Sequence, residues 1–131
     1  MAGRKCDRAL LIFAVVLFLS GCQRATESSS HLSIKFAFAP QPPQVGPVTI
    51  KMVLTDDAQP VTGARILLEA DMPHPGMPPV FGNATEIDSG FYQGRLDLKM
   101  AGDWVVLAHV KLVNGPALEY QTDLQGVRPT R

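Results

Sequence analysis

Thiol chemistry is almost absent from this sequence, which has two cysteines among 131 residues. They are Cys6 and Cys22, so the whole chain after residue 22 lacks a thiol. Disulfide bonds, a CxxC redox pair, a cysteine nucleophile and the thiolate of a blue-copper site are therefore excluded from that part. A domain formed there has to be held together by packing.

An excess of charge of either sign is also missing, since 12 basic and 12 acidic side chains balance each other. No cluster of lysine and arginine marks a basic face, so we expect no nucleic acid as a partner. The GxSxG, HExxH and phosphate-binding glycine motifs are absent, and the carboxylates are scattered. We therefore do not expect an enzyme.

Long apolar runs are limited to one, ALLIFAVVLFL at residues 9–19. Its 11 residues suit the core of a signal peptide and fall short of the roughly 20 that a membrane-spanning helix needs. Arg4, Lys5 and Arg8 precede the run, and Leu-Ser-Gly-Cys at residues 19–22 follows it. This order resembles the bacterial lipobox, whose cysteine is lipidated. The alternative is an uncleaved anchor with an incidental cysteine.

We therefore expect a lipoprotein signal peptide at residues 1–21, a lipidated Cys22, and a polar, Ser-rich tether over residues 22–30. The folded part would then be periplasmic or otherwise extracytoplasmic, and the lipid would hold it on the membrane of a bacterial cell envelope. Gln23, rather than aspartate, follows the cysteine. This resembles lipoproteins sorted to the outer membrane, if the host has one.

Alternation of apolar and polar side chains covers most of the chain after residue 31 and predicts strands. Turn signals rich in proline, glycine, aspartate and asparagine separate these segments every 8–12 residues or so. The pattern predicts an all-β fold, an antiparallel two-sheet β-sandwich of about seven strands at residues 31–126, with a tail at 127–131. We expect Trp104, the single tryptophan, to pack between the sheets.

Prolines and methionines are concentrated in one predicted loop, DMPHPGMPPV at residues 71–80. Proline restricts its own backbone and that of the preceding residue, so this loop should be stiff and mostly extended. Loops held on a rigid scaffold often carry function. Thioether and imidazole groups are donors that suit Cu(I). The loop is therefore the candidate functional site.

A copper hypothesis assigns Met72, His74 and Met77 as Cu(I) ligands, with Met100 or His109 as a further ligand. Two of these residues have a second interpretation. Met72 continues the alternation of the strand before it, which favours a place in the core. His109 lies on a predicted central strand, where a histidine is more often a structural residue of the core or the sheet surface than a metal ligand.

The alternative hypothesis is docking without metal. The loop would then be an adaptable apolar surface that contacts an envelope protein complex, because methionine is flexible and polarizable. The interaction residues would be Pro73, Pro75, Met77, Pro78 and Pro79.

Three short motifs resemble the YtkA-like domain, which is related to the FixH family of bacterial envelope proteins. They are the loop from Met72-Pro73 to Met77-Pro78, Gly90-Phe91-Tyr92, and Met100-x-Gly102-x-Trp104. The resemblance covers roughly residues 45 to 125 and implies an immunoglobulin-like sandwich. Relatives occur as small lipoproteins or fused to metal-efflux adaptor proteins, and FixH is associated with assembly of copper-dependent cytochrome oxidase. It thus implies copper handling, with metal-efflux or oxidase-assembly complexes as partners.

Overall fold

The computed structural model describes residues 31–131, so the expected signal peptide, Cys22 and the whole tether lie outside the described residues. Eight antiparallel strands make up this part, and it contains no helix. No helix that is long and apolar enough to cross a membrane occurs between residues 31 and 131. The strands are β1 (Leu32–Ala39), β2 (Gly46–Asp56), β3 (Gln59–Pro60), β4 (Arg65–Asp71), β5 (Val80–Asp88), β6 (Phe91–Leu98), β7 (Gly102–Lys111) and β8 (Ala117–Val127).

The strand order confirms the all-β antiparallel sandwich. Hydrogen-bonded neighbours follow the order β1-β2-β6-β5-β4-β7-β8, and the short β3 pairs with β2. The set β1-β2-β6-β5 and the set β4-β7-β8 match the two sheets of a seven-stranded immunoglobulin constant-type fold. Strand β5 also pairs with β4, so the two layers are joined along one side.

The two layers face each other across a core supplied by one face of each strand. In β6 and β7 every second residue is buried, as the alternation of apolar side chains predicts. Leu68 of β4 lies so close to Gly94 of β6 that a Cβ on the glycine would be 2.5 Å from the leucine Cδ1. Trp104 is 1% exposed and its Nε1 donates a hydrogen bond to the Met100 carbonyl at 3.1 Å.

Tyr92 ties the connection between β3 and β4 to the core. Its hydroxyl donates to the Val61 carbonyl at 2.8 Å and accepts from the Ala64 amide at 3.1 Å. Burial of the ring raises the pKa of Tyr92, and the charge of Glu86 acts in the same direction, while the hydrogen bond from Ala64 lowers it. The neutral phenol is therefore the form that the fold stabilises.

Strand β5 is more regular than its sequence indicates. The segment beginning at Val80 reads as a weak strand interrupted at Gly82-Asn83, but it is continuous to Asp88. Gly82 is required there, because a Cβ at this position would lie 2.2 Å from the Arg95 carbonyl oxygen. The glycine thus allows close approach of β6 and does not interrupt the strand.

Strand direction gives the sandwich two distinct ends. The N-terminal end carries the start of β1 and the turns after β2, β5 and β7. The loop end carries the connections β1–β2, β4–β5 and β6–β7, together with the residues after β8. The proline- and methionine-rich loop is the β4–β5 connection, so it lies at the opposite end from the point where the described chain begins.

Candidate functional site

The β4–β5 connection, residues 72–79, is anchored by its first side chain. Met72 is 4% exposed and belongs to the hydrophobic core. Its Cε lies against Gly102, where an added Cβ would be only 2.9 Å away. Gly102 has a φ of +128°, so glycine is favoured there for its backbone as well. The structure therefore places the Met72 thioether in the core and not on the surface of the loop.

The rest of the connection turns outward over a few residues. The His74 amide donates to the Met72 carbonyl at 2.7 Å, and the Met77 amide donates to the His74 carbonyl at 3.4 Å. Gly76 follows with a φ of +85°. This compact turn holds His74 in solvent, while Met77 is half-buried and packs against the core. The exposed prolines of the connection are Pro73, Pro75, Pro78 and Pro79.

Met100 lies in the β6–β7 turn at the same end of the sandwich, and it is 46% exposed. Its backbone is fixed, because its carbonyl accepts the hydrogen bond from Trp104 Nε1. The loop end therefore presents His74, Met77 and Met100 as its soft donor groups. Of the methionines that we considered as ligands, Met72 alone is withdrawn into the core.

His109 is not brought to this end. It lies seven residues beyond Gly102 on β7, roughly 23 Å away at about 3.3 Å per residue. Its Nε2 is 2.7 Å from a Glu69 carboxylate oxygen and its Nδ1 is 3.2 Å from a Glu119 carboxylate oxygen. Glu69 and Glu119 lie on β4 and β8, so the imidazole links three neighbouring strands on the outer surface of the sheet.

Clusters of histidine, cysteine and carboxylate ligands are not present in the part of the chain that the structure describes. No group of three or more histidine, cysteine, aspartate or glutamate side chains between residues 31 and 131 is placed to hold a metal ion. A metal at the loop end would depend on thioethers and one imidazole, a donor set that suits Cu(I).

Sequence reasoning missed a second feature, an apolar groove on the outer face of β1, β2, β6 and the end of β5. Phe91 and Ile87 are 47% and 58% exposed at this groove. A signal was present in the sequence, because Phe91 shares the polar face of its strand with Gln93 and Arg95. An aromatic residue in that phase indicates an outward-facing apolar group.

The family model described as YtkA-like matches residues 26–109. The chain belongs to the YtkA-like family. No curated protein matches it, and no solved structure does. The YtkA-like match contains the whole β4–β5 connection and ends within β7, so β8 lies beyond it although it pairs with β7 along nearly its full length.

Proposed function

We propose that this YtkA-like protein is a binding module of the bacterial envelope, lipid-anchored through Cys22, that docks on a partner protein complex with its loop end. The observation that carries the proposal is the position of the β4–β5 connection, at the opposite end from residue 31. With residues 22–30 as the tether, the sandwich is attached at its N-terminal end, and β1 extends from there to the loop end over eight residues, roughly 26 Å. The loop end is then the part of the sandwich furthest from the attachment point.

The surface chemistry of the loop end suits docking. Proline fixes the backbone before any partner arrives, so less conformational entropy is lost on binding. Met77 and Met100 add flexible, polarizable side chains that adapt to a partner surface. Because Met72 is anchored in the core, the loop keeps a defined position on the sandwich. The resemblance to YtkA-like modules implies a metal-efflux complex as the partner, and the relation to FixH implies an oxidase-assembly complex, on the periplasmic side of either membrane.

Methionine oxidation tests the docking proposal. Mild peroxide converts exposed methionines to the sulfoxide, and Met100 at 46% exposure should react, while Met52 and Met72 at 1% and 4% should resist. We expect Met100 to react in the purified protein and to be protected in intact envelopes that contain a copper chelator. Equal oxidation of Met100 in both samples would rule out docking at the loop end. The buried methionines report whether the protein stayed folded.

A second function, Cu(I) binding, is favoured by the placement of His74, Met77 and Met100 at one end of the sandwich. Thioethers need no deprotonation, so methionine ligands remain competent in an acidic, oxidising compartment. This ligand set differs from the one that the sequence indicates, because Met72 is committed to the core and His109 lies far along β7. Copper would be cargo handled at the loop end.

A Cu(I) titration against a chromophoric chelator tests this second function. Binding tighter than about micromolar would correspond to roughly 8 kcal/mol. His74→Ala and Met77→Ala should each weaken it, whereas Met72→Leu, which keeps the core filled, should leave it unchanged. Failure of the wild type to compete with the chelator would exclude tight Cu(I) binding. A loss of affinity in Met72→Leu equal to that in Met77→Ala would show that Met72 leaves the core to bind the metal.

A further inference from the structure

The outer face of β1, β2, β6 and the end of β5 carries a groove of about 240 Å³ with an apolar floor and a basic rim. Phe91 of β6 is paired with Val53 of β2, which is paired in turn with Lys35 of β1. The second lysine, Lys51, lines the same groove and is exposed. Phe91 and Ile87 contribute the exposed apolar surface, at 47% and 58% exposure.

Charge is distributed unevenly between the two faces of the sandwich. The acidic side chains that alternate outward on β4, β7 and β8 are Glu69, Asp71, Asp103, Glu119 and Asp123. Those strands carry fewer outward bases, Arg65 and Lys111. The basic side chains that alternate outward on β1, β2 and β6 are Lys35, Lys51 and Arg95. The exposed acids of that layer are Asp56 at the end of β2, Glu86 and Asp88 on β5, and Asp97 on β6, which is paired with Lys99. The layer therefore has no overall excess of base, and its basic character is local to the groove.

Carboxylates flank the groove, but none of them lines it. Asp88 is paired with Phe91 across the β5–β6 ladder, and its Oδ1 accepts a hydrogen bond from the Ser89 amide at 2.7 Å. Asp57, in the turn after β2, lies 3.5 Å from the His31 imidazole. The lysines lie on the strands that form the groove, so the groove itself keeps a basic rim and would attract an anionic surface.

The groove lies close to where the chain enters the fold. Lys35 is three residues past Leu32, the first residue of β1, a separation of about 10 Å. Residues 23–31 can span at most about 30 Å when extended. A lipid on Cys22 and the groove can therefore engage one and the same surface.

We propose that the groove rests on an anionic bilayer, with Phe91 and Ile87 in the interfacial region and Lys35 and Lys51 against headgroup phosphates. Exposed phenylalanine and aliphatic side chains gain from burial at the boundary between headgroups and acyl chains, and lysine stems extend along apolar surface while the ammonium groups reach the phosphates. The inference rests on the lipid anchor of the proposed function. It adds an orientation: the sandwich leans on the N-terminal half of the face that carries the groove and directs the acidic face of β4, β7 and β8 and the loop end away from the lipid.

Tryptophan quenching by bromine-labelled lipid tests the orientation. The full chain, as its host processes it, is prepared as the Phe91→Trp variant and bound to vesicles. The Leu67→Trp variant is the matched control, because Leu67 lies on the outer face of β4 and is 40% exposed. Native Trp104, 1% exposed, is a common background. On anionic vesicles we expect Phe91→Trp to be quenched roughly twofold more than the control. Adding Lys35→Glu and Lys51→Glu should remove this difference.

The outcomes separate the groove from the anchor. Flotation on neutral vesicles, with lipid found on Cys22 by mass spectrometry, reports the anchor alone. Equal quenching of the two tryptophans in a floating, lipidated chain would overturn the groove proposal and leave the anchor standing. A quenching difference on anionic vesicles without lipid on Cys22 would support the groove and overturn the anchor. If the tryptophan of Phe91→Trp were shielded from a water-soluble quencher in intact envelopes but not quenched by bromine-labelled lipid, a protein would be covering the groove. That result also overturns the proposal.

Discussion

Met72 and His74 are two positions apart in one motif, yet one is buried and the other is in solvent. Strand register explains the difference, since Met72 continues the inward phase of Leu68 and Ala70 and the chain turns outward only after it. The alternation of apolar residues contains this information. It contains nothing about the two glutamates that flank His109, because one comes from a strand 40 residues away in the chain.

At residue scale, replacing Met72 tests its role in the core. Met72→Ala should lower the free energy of unfolding by about 2–5 kcal/mol, because it removes packing and leaves a cavity beside Gly102. Met72→Leu conserves volume and should cost less than about 1.5 kcal/mol. Urea unfolding measures both. If Met72→Ala were as stable as the wild type, the thioether would not be packed as the structure has it.

Tyr92→Phe tests the hydrogen bonds that tie the β3–β4 connection to the core. The variant keeps the ring but leaves the Val61 carbonyl and the Ala64 amide without this partner. We expect a loss of about 1–3 kcal/mol in the free energy of unfolding. A change of a few tenths would indicate that water replaces the hydroxyl.

The raised pKa of Tyr92 predicts a specific dependence of stability on pH. Below the ordinary tyrosine pKa of 10.0 the phenol is protonated in both states and its full contribution is present. Above that value the unfolded chain loses the proton first, so the free energy of unfolding should fall as the pH rises toward the folded pKa. Part of this decline should persist in Tyr92→Phe, because burial also raises the pKa of Tyr120. A wild-type stability that is flat above pH 10 would contradict the prediction.

At the scale of elements, alternation predicts the seven main strands and misses β3, whose two residues, Gln59 and Pro60, read as part of a turn. A two-residue bridge has no periodicity to detect. The order of the strands is not readable from alternation either, since pairing depends on contacts between distant segments. The immunoglobulin-like arrangement follows from the family resemblance.

Gly82→Ala tests the close approach of β5 and β6. The new methyl group would meet the Arg95 carbonyl, a backbone atom that cannot move without disturbing the ladder. We expect a loss of about 1–3 kcal/mol or more in the free energy of unfolding. Gly115→Ala is the matched control, since its added Cβ would meet only the flexible Leu112 side chain, at 2.9 Å. Equal effects of the two substitutions would contradict the close approach.

Strand β8 lies beyond the family match but belongs to the fold. It buries Leu124 and Val127 and covers the outer edge of β7. A chain ending at residue 115 should therefore lose cooperative thermal unfolding, because it exposes the edge of β7 and part of the core. A sharp transition in the shortened chain, followed by circular dichroism, would show that the matched region folds without β8.

At the scale of the whole molecule, two ends and two faces are assigned different roles. The loop end carries the stiff proline backbone and the thioether and imidazole donors, and the outer face of β1, β2, β6 and β5 carries the groove near the start of β1. The sequence alone reveals the loop end, because the residues of the β4–β5 connection follow one another in the chain. The groove is assembled from four separate strands, and only their pairing brings the lysines and Phe91 together.

Photo-crosslinking from the two ends tests docking through the loop end most directly. A photoreactive residue replaces Met77 in one variant and Val113, 66% exposed in the turn after β7 at the N-terminal end, in the other. Both are irradiated in intact envelopes. Docking at the loop end predicts a discrete protein adduct from position 77 that position 113 does not give. The same adduct from both positions, or an adduct from position 113 alone, would contradict it.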